Sequence, residues 1–297
     1  MSLALAVVLA LTSALLFAIS NVVEQRIAAE APQDQSLRPG LLVTLARHPA
    51  WVGGFVADVG GYGAQAAALA FGALLVVAPL LACGLLFSLL LEAAVSGRHL
   101  HLSDLGAALL LCAGLAVFLQ VGSPTEGRFD VPAVDWAPAA LLLAMVVALA
   151  ALTRRHVQGP TRATLFGLAS GMTFGVNAAL TKVVVHILGR DPISVFWHWE
   201  LYGLAVLSVS GLVMVQSAFQ AGSLAAALPS MEVGEPVVAT IVGLVILREH
   251  LHARNNVERA LIAVASLAML VGLVALARSR AAHTPPKEAA QRAMSSA

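Results

Sequence analysis

Charged residues are scarce in this sequence. Only 11% of its 297 residues are Asp, Glu, Lys or Arg, whereas an ordinary soluble domain has roughly 25%. The formal net charge of +1 excludes the strongly basic surface that nucleic-acid binding needs. Cysteine is scarce too, and because Cys83 and Cys112 both lie within apolar runs, no disulfide framework is expected. With 59% hydrophobic residues, the remaining class is an all-α protein with several membrane-spanning helices.

The apolar residues fall into runs of the length that a bilayer requires. A spanning helix needs about 20 mostly apolar residues, and this criterion predicts about nine transmembrane helices. Short uncharged connections near Gly72 and Gly222 predict tight antiparallel hairpins. The segments are Leu3–Ile27, Trp51–Ala70, Ala73–Val95, Leu105–Val121, Trp136–Leu152, Ala163–Leu188, Val195–Phe219, Leu224–Leu247 and Ala260–Ala277.

The charges in the loops predict the orientation. If successive loops alternate sides, 11 Lys and Arg residues fall on one side of the membrane and 5 on the other. Because loops rich in Lys and Arg stay in the cytoplasm, we expect the N-terminus outside and the C-terminus cytoplasmic. An Ala-, Leu- and Val-rich composition with only two lysines is typical of high-GC bacteria. The expected location is therefore a bacterial plasma (inner) membrane.

The two halves of the chain share a pattern. Pro79 stands nineteen residues before Arg98, and Pro229 stands nineteen residues before Arg248. Segments one to four therefore resemble segments six to nine, and because a single linker helix intervenes, the second copy is inverted relative to the first. Further matches are Phe17 with Phe174 and Ala70-Phe71 with Ala218-Phe219. The predicted units are a first repeat at 1–122, a loop and linker helix at 123–160, a second repeat at 161–277 and a disordered cytoplasmic tail at 278–297.

Two stretches carry a family resemblance. The apolar run with Glu235-Pro236 that ends at Glu249 resembles the second-repeat signature of the drug/metabolite transporter superfamily (DMT, EamA-like). Residues 48–250 also resemble the nine-helix NIPA-type magnesium transporters of that superfamily, which implies an inverted-repeat transporter fold and Mg²⁺ as a substrate. Where that pattern has a Gly-Glu pair and a downstream Asn, this chain has Gly61-Tyr62 and Gln65. The resemblance therefore supports the fold better than it supports Mg²⁺ as the substrate. The matching motifs are Trp51-Val-Gly-Gly, the spacing from Ala70-Phe71 to Pro79-Leu80, Ser123-Pro124-Thr-Glu126 and Gly171-Met-Thr-Phe-Gly-Val-Asn177.

Three carboxylates stand inside the apolar segments. A charge at the bilayer centre costs between about 2.5 and 17 kcal/mol, so each is a candidate functional group. Glu232 and Glu235 are three residues apart and share a helix face, and because like charges repel, we expect a shared proton or a bound cation between them. Asp58, in a glycine-rich segment, is the third candidate. The alternative is structural, with the pair hydrogen-bonded to neighbouring helices and Asp58 capping a broken helix.

Other polar residues extend the predicted site. Gln65, Asn177 and Lys182 join the three acids as candidate solute- or ion-binding residues. Lys182 lies in the outer third of its segment, where its side chain either reaches the membrane surface or pairs with Glu232 or Glu235. The two glutamates are also the only candidate metal ligands that we assign.

Helix breaks and an outer cluster complete the list. Breaks predicted in the third and eighth helices would free backbone carbonyls as further ligands. At the outer ends of helices six and seven, three polar residues predict a gate or proton relay. Because His198 and Glu200 are two residues apart, we expect them to point apart on a helix and to form no metal site by themselves. The break residues are Pro79, Pro229, Gly234 and Pro236, and the outer residues are His186, His198 and Glu200.

The sequence contains no Ser-centred glycine elbow, phosphate loop, zinc helix or cysteine pair, so we expect no enzyme and no cofactor. We expect a secondary transporter that moves a small solute or cation by alternating access with proton coupling, so that H⁺ or Mg²⁺ serves only as a coupling or transported ion. A NIPA-like Mg²⁺ transporter is the first alternative. A membrane scaffold or subunit that assists the handling of lipid-linked precursors is the alternative from another class. The expected partners are the lipid bilayer and the substrate, and the sequence leaves homodimer formation open.

Overall fold

The computed structural model describes residues 2–30, 49–96, 101–153, 160–220 and 224–283. These residues are almost entirely helical, which confirms the expected all-α class; the one β-bridge among them joins Thr125 to His250. The described helices number ten, of which α3 and α4 are two parts of one apolar stretch. They are α1 (Ser2–Glu30), α2 (Pro49–Phe71), α3 (Leu74–Leu81), α4 (Gly84–Ser96), α5 (Leu102–Gly122), α6 (Ala137–Thr153), α7 (Pro160–Arg190), α8 (Trp199–Gln220), α9 (Leu224–Val245) and α10 (Asn256–His283).

The outer surface of the helices is rich in large apolar side chains. By length and hydropathy, 5 of the described helical stretches could cross a membrane: Leu3–Val23, Leu74–Leu91, Leu102–Gly122, Thr161–Arg190 and Asn256–Ser279. Large apolar side chains such as Leu109, Leu141 and Val206 are exposed on the outside, whereas polar side chains such as Ser13 and Thr173 are buried inside. This distribution is the reverse of a water-soluble protein and is compatible with a lipid-embedded chain.

Helix pairs build the bundle. Helix α1 packs against α2, α7 packs against both α8 and α9, and α5 packs against α10. The α7–α9 contact is the closest, because a stripe of glycines on α7 lies directly against backbone carbonyl oxygens of α9, where a Cβ atom would clash. The stripe consists of Gly167, Gly171 and Gly175, and it faces the carbonyl oxygens of Ala227, Met231 and Glu235.

Helix α9 is continuous, so the breaks predicted at Pro229, Gly234 and Pro236 are wrong. A proline removes one helical hydrogen bond, and here the close contact with α7 supports the backbone around it. The Thr240 hydroxyl donates a 2.7 Å hydrogen bond to the Pro236 carbonyl. The third apolar stretch does have an interruption: α3 ends at Leu81, two residues after Pro79, and α4 begins at Gly84.

The C-terminal boundary also differs from the sequence prediction. Helix α10 runs from Asn256 to His283, so the disordered tail predicted from residue 278 begins too early. The apolar face of α10 continues through Leu276 and Ala277, which are buried, and this packing supports the following turns. Residues 284–297 of the predicted tail lie outside the described residues.

Candidate substrate cavity

A cavity of about 160 Å³ lies between the first and second halves of the chain. Helices α1 to α4 supply one wall, and α7, α8 and α9 supply the other. Its lining includes Asn21 of α1 and Val215 of α8. Its lining residues are Phe17, Ala18, Asn21, Asp58, Tyr62, Gln65, Ala78, Leu81, Ala82, Gly84, Phe174, Asn177, Ala178, Leu212, Val215, Met231, Glu232, Glu235 and Pro236.

Three carboxylates meet in this cavity. Asp58 comes from α2, and Glu232 and Glu235 come from the same face of α9. The Glu235 carboxyl interacts electrostatically with both of the other acids, although Asp58 is far away in the sequence. No Lys, Arg or His side chain of the described chain lines the cavity, so the charged groups that these residues contribute to it are all acidic. We call this space the acidic cavity.

Two predicted amide residues also line the acidic cavity, in different ways. The Asn177 side chain is fixed, because its Nδ2 donates a 3.0 Å hydrogen bond to the Tyr62 hydroxyl oxygen and its Oδ1 accepts a 3.4 Å bond from the Ser208 hydroxyl. Gln65 is only 4% exposed, and within the described residues its amide has no hydrogen-bond partner. Gln65 therefore lines the cavity without a hydrogen bond to any described residue that would fix its amide.

Sequence reasoning missed Tyr62 as a site residue. Its hydroxyl lies 2.7 Å from the Thr181 hydroxyl and accepts the bond from Asn177, so it connects α2 of the first half to α7 of the second. Tyr62 stands beside the position where this chain departs from the NIPA-type pattern, and that departure was the available signal.

An aromatic ring forms the wall at α1 and α2. Phe17 of α1 packs so closely on Gly61 of α2 that a Cβ atom at Gly61 would lie 2.9 Å from the ring. Four residues before Phe17, the Ser13 hydroxyl donates a 2.7 Å hydrogen bond to the Gly61 carbonyl. Together these contacts fix the ring at the edge of the acidic cavity.

The opposite wall, at α7 and α8, repeats this arrangement. Phe174 of α7 packs on Gly211 of α8, where a Cβ atom would again lie 2.9 Å from the ring. Four residues before Phe174, the Ser170 hydroxyl donates a 3.3 Å bond to the Gly211 carbonyl. The two halves thus contribute equivalent aromatic residues to one cavity.

Lys182 lies outside the acidic cavity, in a second charged cluster. Its Nζ lies 2.8 Å from the Glu249 carboxylate and donates a 3.1 Å hydrogen bond to the Gly72 carbonyl. Lys182 and Glu249 are 2% and 1% exposed, so neither reaches the surface. The interpretation of Lys182 as a surface-reaching side chain is therefore wrong. The interpretation as a partner of an internal acid holds, but the acid is Glu249 and not Glu232 or Glu235. We call Lys182 and Glu249 the buried ion pair.

Glu249 also caps a helix. Its carboxylate accepts hydrogen bonds of 2.7 and 2.8 Å from the backbone N–H groups of Leu74 and Leu75, the first residues of α3. Helix α3 has no side-chain cap of its own at Ala73, and a carboxylate at a helix N-terminus satisfies free amides and favours the helix dipole. The buried ion pair therefore joins α7 and the end of α9 to the start of α3.

The turn after α9 positions Glu249. Arg248 has a φ of 53°, the left-handed conformation that commonly follows a helix C-terminus. The Glu249 N–H then donates a 2.9 Å bond back to the Gly243 carbonyl, which folds the chain back onto the last turn of α9. This turn directs the carboxylate inwards.

The outer residues form two separate contacts. His186 stacks on Phe129 with ring centroids 3.8 Å apart, and its buried Nε2 has no hydrogen-bond partner among the described residues. His198 lies before α8, so the expectation that it points away from Glu200 is wrong: its Nδ1 lies 3.6 Å from the Glu200 carboxylate. A gap of about 320 Å³ lies near His186, lined also by Lys182, Glu126 and Arg190.

Metal binding needs a denser group of ligands. Within the described residues, no three His, Cys, Asp or Glu side chains lie close enough together to hold a metal ion. Glu232 and Glu235 could contribute two oxygen ligands, whereas a bound Mg²⁺ that keeps its waters uses one or two carboxylates. The described part of the chain offers no closed protein cage for a metal.

Comparisons with known proteins place the chain in a family. No family model matches the sequence, and no solved structure matches it. An uncharacterized protein of Corynebacterium glutamicum is 34% identical over 276 residues, which cover 93% of this chain and 95% of that protein. At this identity and coverage, the chain belongs to the same family as the Corynebacterium glutamicum protein.

Proposed function

We propose that this protein is a proton-coupled secondary transporter that binds a small solute or cation in the acidic cavity and moves it by alternating access. The observation that carries the proposal is the position of three carboxylates in a cavity between the two halves of the chain. Intramembrane acids of this kind mark ion and substrate pathways. In many secondary transporters the site lies at the interface between two inverted repeats.

The matched aromatic walls support an inverted repeat. The serine, the phenylalanine and the glycine occur with the same contacts in α1–α2 and in α7–α8. Helix pairing follows the same scheme, since α1 packs on α2 and on the α3–α4 stretch, while α7 packs on α8 and α9. Under this proposal, α6 is the linker helix that inverts the second copy.

The buried ion pair supports a state that is closed at one end. Beyond Asn177, Tyr62 bonds to Thr181, and one residue further along α7 Lys182 reaches Glu249 and the Gly72 carbonyl. These contacts join the two halves on one side of the acidic cavity. With the N-terminus outside, they lie at the outer end. Transport would require them to separate.

Proteoliposomes with a trapped pH dye test the proposal. Choline, Mg²⁺, amino acids and sugar phosphates are added singly, and we expect at least one to move protons with the wild-type protein. The double variant Glu232→Gln/Glu235→Gln should lose this signal. Asp130→Asn, which removes an exposed carboxylate outside the cavity, should keep it. Proton movement in the double variant equal to wild type would contradict the role of the two glutamates, and silence of the wild type with every compound would contradict transport.

A Mg²⁺ transporter is the second candidate. The carboxylate pair on α9 could hold hydrated Mg²⁺ through outer waters, because this ion gives up its waters reluctantly. In the same liposomes, a Mg²⁺-sensitive dye should then report uptake that depends on Glu232 and Glu235. Absence of uptake, with protein that responds to another compound, would exclude this candidate.

A further inference from the structure

We propose that the segment after α5, residues 123–130, is a lid that covers the buried ion pair and lifts when the two halves of the chain separate. We call this segment the lid. Its role in transport rests on the proposed function, whereas the covering itself is tested below without a substrate. Three observations carry the inference: the docking of the lid beside α9, its position over Lys182 and the incompletely filled space between the lid and α7.

The lid starts with a sharp turn. Helix α5 ends at Gly122, and Ser123 has a φ of 36°, in the left-handed region that residues other than glycine rarely adopt. Pro124, which disfavours continuation of a helix, follows directly. The chain therefore leaves the axis of α5 at once and reaches the residues after α9, with which Thr125 pairs. The Ser123-Pro124-Thr-Glu126 motif thus sets the direction of the lid.

Hydrogen bonds hold the lid against the chain after α9. The Thr125 N–H donates a 2.9 Å bond to the His250 carbonyl, and the Arg128 N–H donates a 2.7 Å bond to the Leu247 carbonyl. The Arg128 Nε donates a further 3.0 Å bond to the Ile246 carbonyl. The acceptors are backbone carbonyls beyond the last turn of α9, and water can replace their donors with little net change in free energy. The docked position is therefore both specific and reversible.

Gly127 allows the lid to lie this close. A Cβ atom at Gly127 would overlap the carbonyl oxygen of Leu247 and would lie 2.6 Å from the carbonyl carbon of Arg248. Both are backbone atoms, so they cannot move aside as a flexible side chain could. Gly127 is therefore the position at which a single methyl group would prevent docking.

Two side chains of the lid lie over the buried ion pair. The centroid of the Phe129 ring is 5.4 Å from the Lys182 Nζ, and the Glu126 Oε1 is 4.0 Å from the same atom. The Glu126 side chain is 45% exposed, whereas the Lys182 and Glu249 side chains are 1% and 0% exposed. The lid thus separates these two charges from the surface.

The lid rests on an incompletely filled space. A gap of about 320 Å³ lies between the lid and α7, lined by Phe129, Lys182 and His186 among others. Phe129 stacks on His186, and both rings are only partly buried. Protein interiors are normally close-packed, whereas elements that open locally have few buried apolar contacts. Just after the lid, Val131 is buried, which gives the lid a fixed end from which to lift.

A lid at this place controls the separation of the buried ion pair. Moving Lys182 away from Glu249 in a water-free interior leaves two uncompensated charges, which is strongly unfavourable. Water that enters as the lid lifts hydrates both groups and lowers this cost. The docked lid therefore stabilises the state in which the two halves are joined, and its lifting precedes their separation.

Cysteine labelling in detergent tests the covering without transport. Ala73 is 3% exposed and adjoins Gly72, whose carbonyl accepts the hydrogen bond from Lys182. Ala73→Cys in a Cys83→Ala/Cys112→Ala background therefore reports access to the buried ion pair, because a buried thiol reacts with a maleimide only when its surroundings open. We expect slow labelling while the lid is docked.

Matched variants show whether the lid provides this protection. Gly127→Ala should raise the labelling rate at least about tenfold, because the lid can no longer dock. Arg128→Gln, which loses the bond to Ile246, should raise it about threefold and serves if Gly127→Ala fails to fold. Gly106→Ala is the control, since nothing lies within 4 Å of a Cβ atom there, and it should label as the parent does.

A second reporter separates lifting of the lid from general unfolding. Ala169→Cys lies in the other half of α7 and is 0% exposed, so its labelling should stay slow in every variant. Unchanged labelling of Ala73→Cys in both lid variants would overturn the inference. An equal rise at both reporters, or a rise in the Gly106→Ala control, would overturn it too.

A reversible disulfide tests the movement. Thr125 and His250 form a hydrogen-bonded antiparallel pair, whose Cα atoms lie about 5.5 Å apart in such pairs, within the range of a disulfide. Thr125→Cys/His250→Cys, in the cysteine-free background, should cross-link on oxidation and hold the lid down. Failure to cross-link would show that the lid does not dock at His250 and would overturn the inference.

Flux through the cross-linked protein separates the two proposals. In proteoliposomes, the oxidised double variant should lose compound-driven proton movement and regain it on reduction, whereas Thr125→Cys alone should keep it under both conditions. Undiminished movement with the disulfide formed would overturn the lid and leave transport standing. Silence of the wild type would remove transport, and the labelling result would then decide the lid alone.

Discussion

The molecule contains two groups of charged residues between its helices, and their surroundings differ in opposite ways. In the buried ion pair, the Glu249 carboxylate receives hydrogen bonds from Lys182 and from the amides of Leu74 and Leu75. In the acidic cavity, Asp58 and Glu235 receive no hydrogen bond from any described residue and interact with each other as like charges. The difference teaches that the protein itself satisfies the carboxylate of the first group, whereas Asp58 and Glu235 of the second group receive no such hydrogen bond within the described residues.

The largest change in stability is expected from breaking the buried ion pair. Lys182→Met leaves Glu249 charged and buried without its cation, which should lower the free energy of unfolding by about 3–5 kcal/mol. Thermal unfolding in detergent measures it. The double variant Lys182→Met/Glu249→Gln should recover part of this loss, because no unpaired charge remains. A single variant as stable as wild type would show that the two charge clusters do not differ in the proposed way.

Protons should compete with a cation in the acidic cavity. Asp58, Tyr62, Glu232 and Glu235 are the titratable groups that line it. Because a carboxylate that gains a proton loses its charge, binding of a cation such as Mg²⁺ should weaken as the pH falls, by at most about tenfold per pH unit for each competing proton. Titrations of the purified protein with Mg²⁺ between neutral and acidic pH measure the slope. The slope should be shallower in Glu232→Gln/Glu235→Gln, and an unchanged slope would locate the competing proton elsewhere.

Neutralising a cavity acid should change the free energy of unfolding in the opposite direction from breaking the buried ion pair. Glu235→Gln removes a like charge from a crowded acidic site, so we expect unchanged stability or a gain of about 1 kcal/mol without ligand. Glu249→Gln is the matched change in the other cluster and should lose stability. If both variants lost equal stability, the acids of the cavity would be structural, as the alternative interpretation of the sequence has it.

The smallest expected change in stability concerns the space beside Glu249. A Cβ atom at Gly243 would lie 3.2 Å from the Glu249 Oε2 atom, whereas nothing lies within 4 Å of a Cβ atom at Gly53. Replacing a helical glycine by alanine normally gains about 0.5–1 kcal/mol. We therefore expect Gly53→Ala to show this gain and Gly243→Ala to show less or none. Equal gains would mean that the carboxylate tolerates displacement.

Hydropathy predicted the helices well, because the length of an apolar run is a local property. The carboxylates of the acidic cavity were also predictable, since Asp58, Glu232 and Glu235 are conspicuous exceptions within apolar runs. Their convergence in one cavity required only that the two halves meet. The details of α9 were not predictable in this way, because its continuity through Pro236 depends on contacts with α7.

The buried ion pair escaped prediction for a physical reason. Lys182 and Glu249 are separated by 67 positions, and a glutamate just after a helix normally lies in solvent. A signal was nevertheless present: α3 begins after Phe71-Gly72-Ala73, which contains no Ser, Thr, Asp or Asn to cap its first amides. A buried helix start without a cap requires an acceptor from elsewhere in the chain.

The dipole of helix α3 links the two charge clusters. Its eight residues span about 12 Å, with Glu249 at the first amides and the acidic cavity beside Ala78, Leu81 and Ala82 at the other end. Peptide dipoles place partial positive charge at the start of a helix and partial negative charge at its end. The end of α3 therefore adds to the potential that attracts a cation, and the charge state of Glu249 acts on the cavity along the same axis.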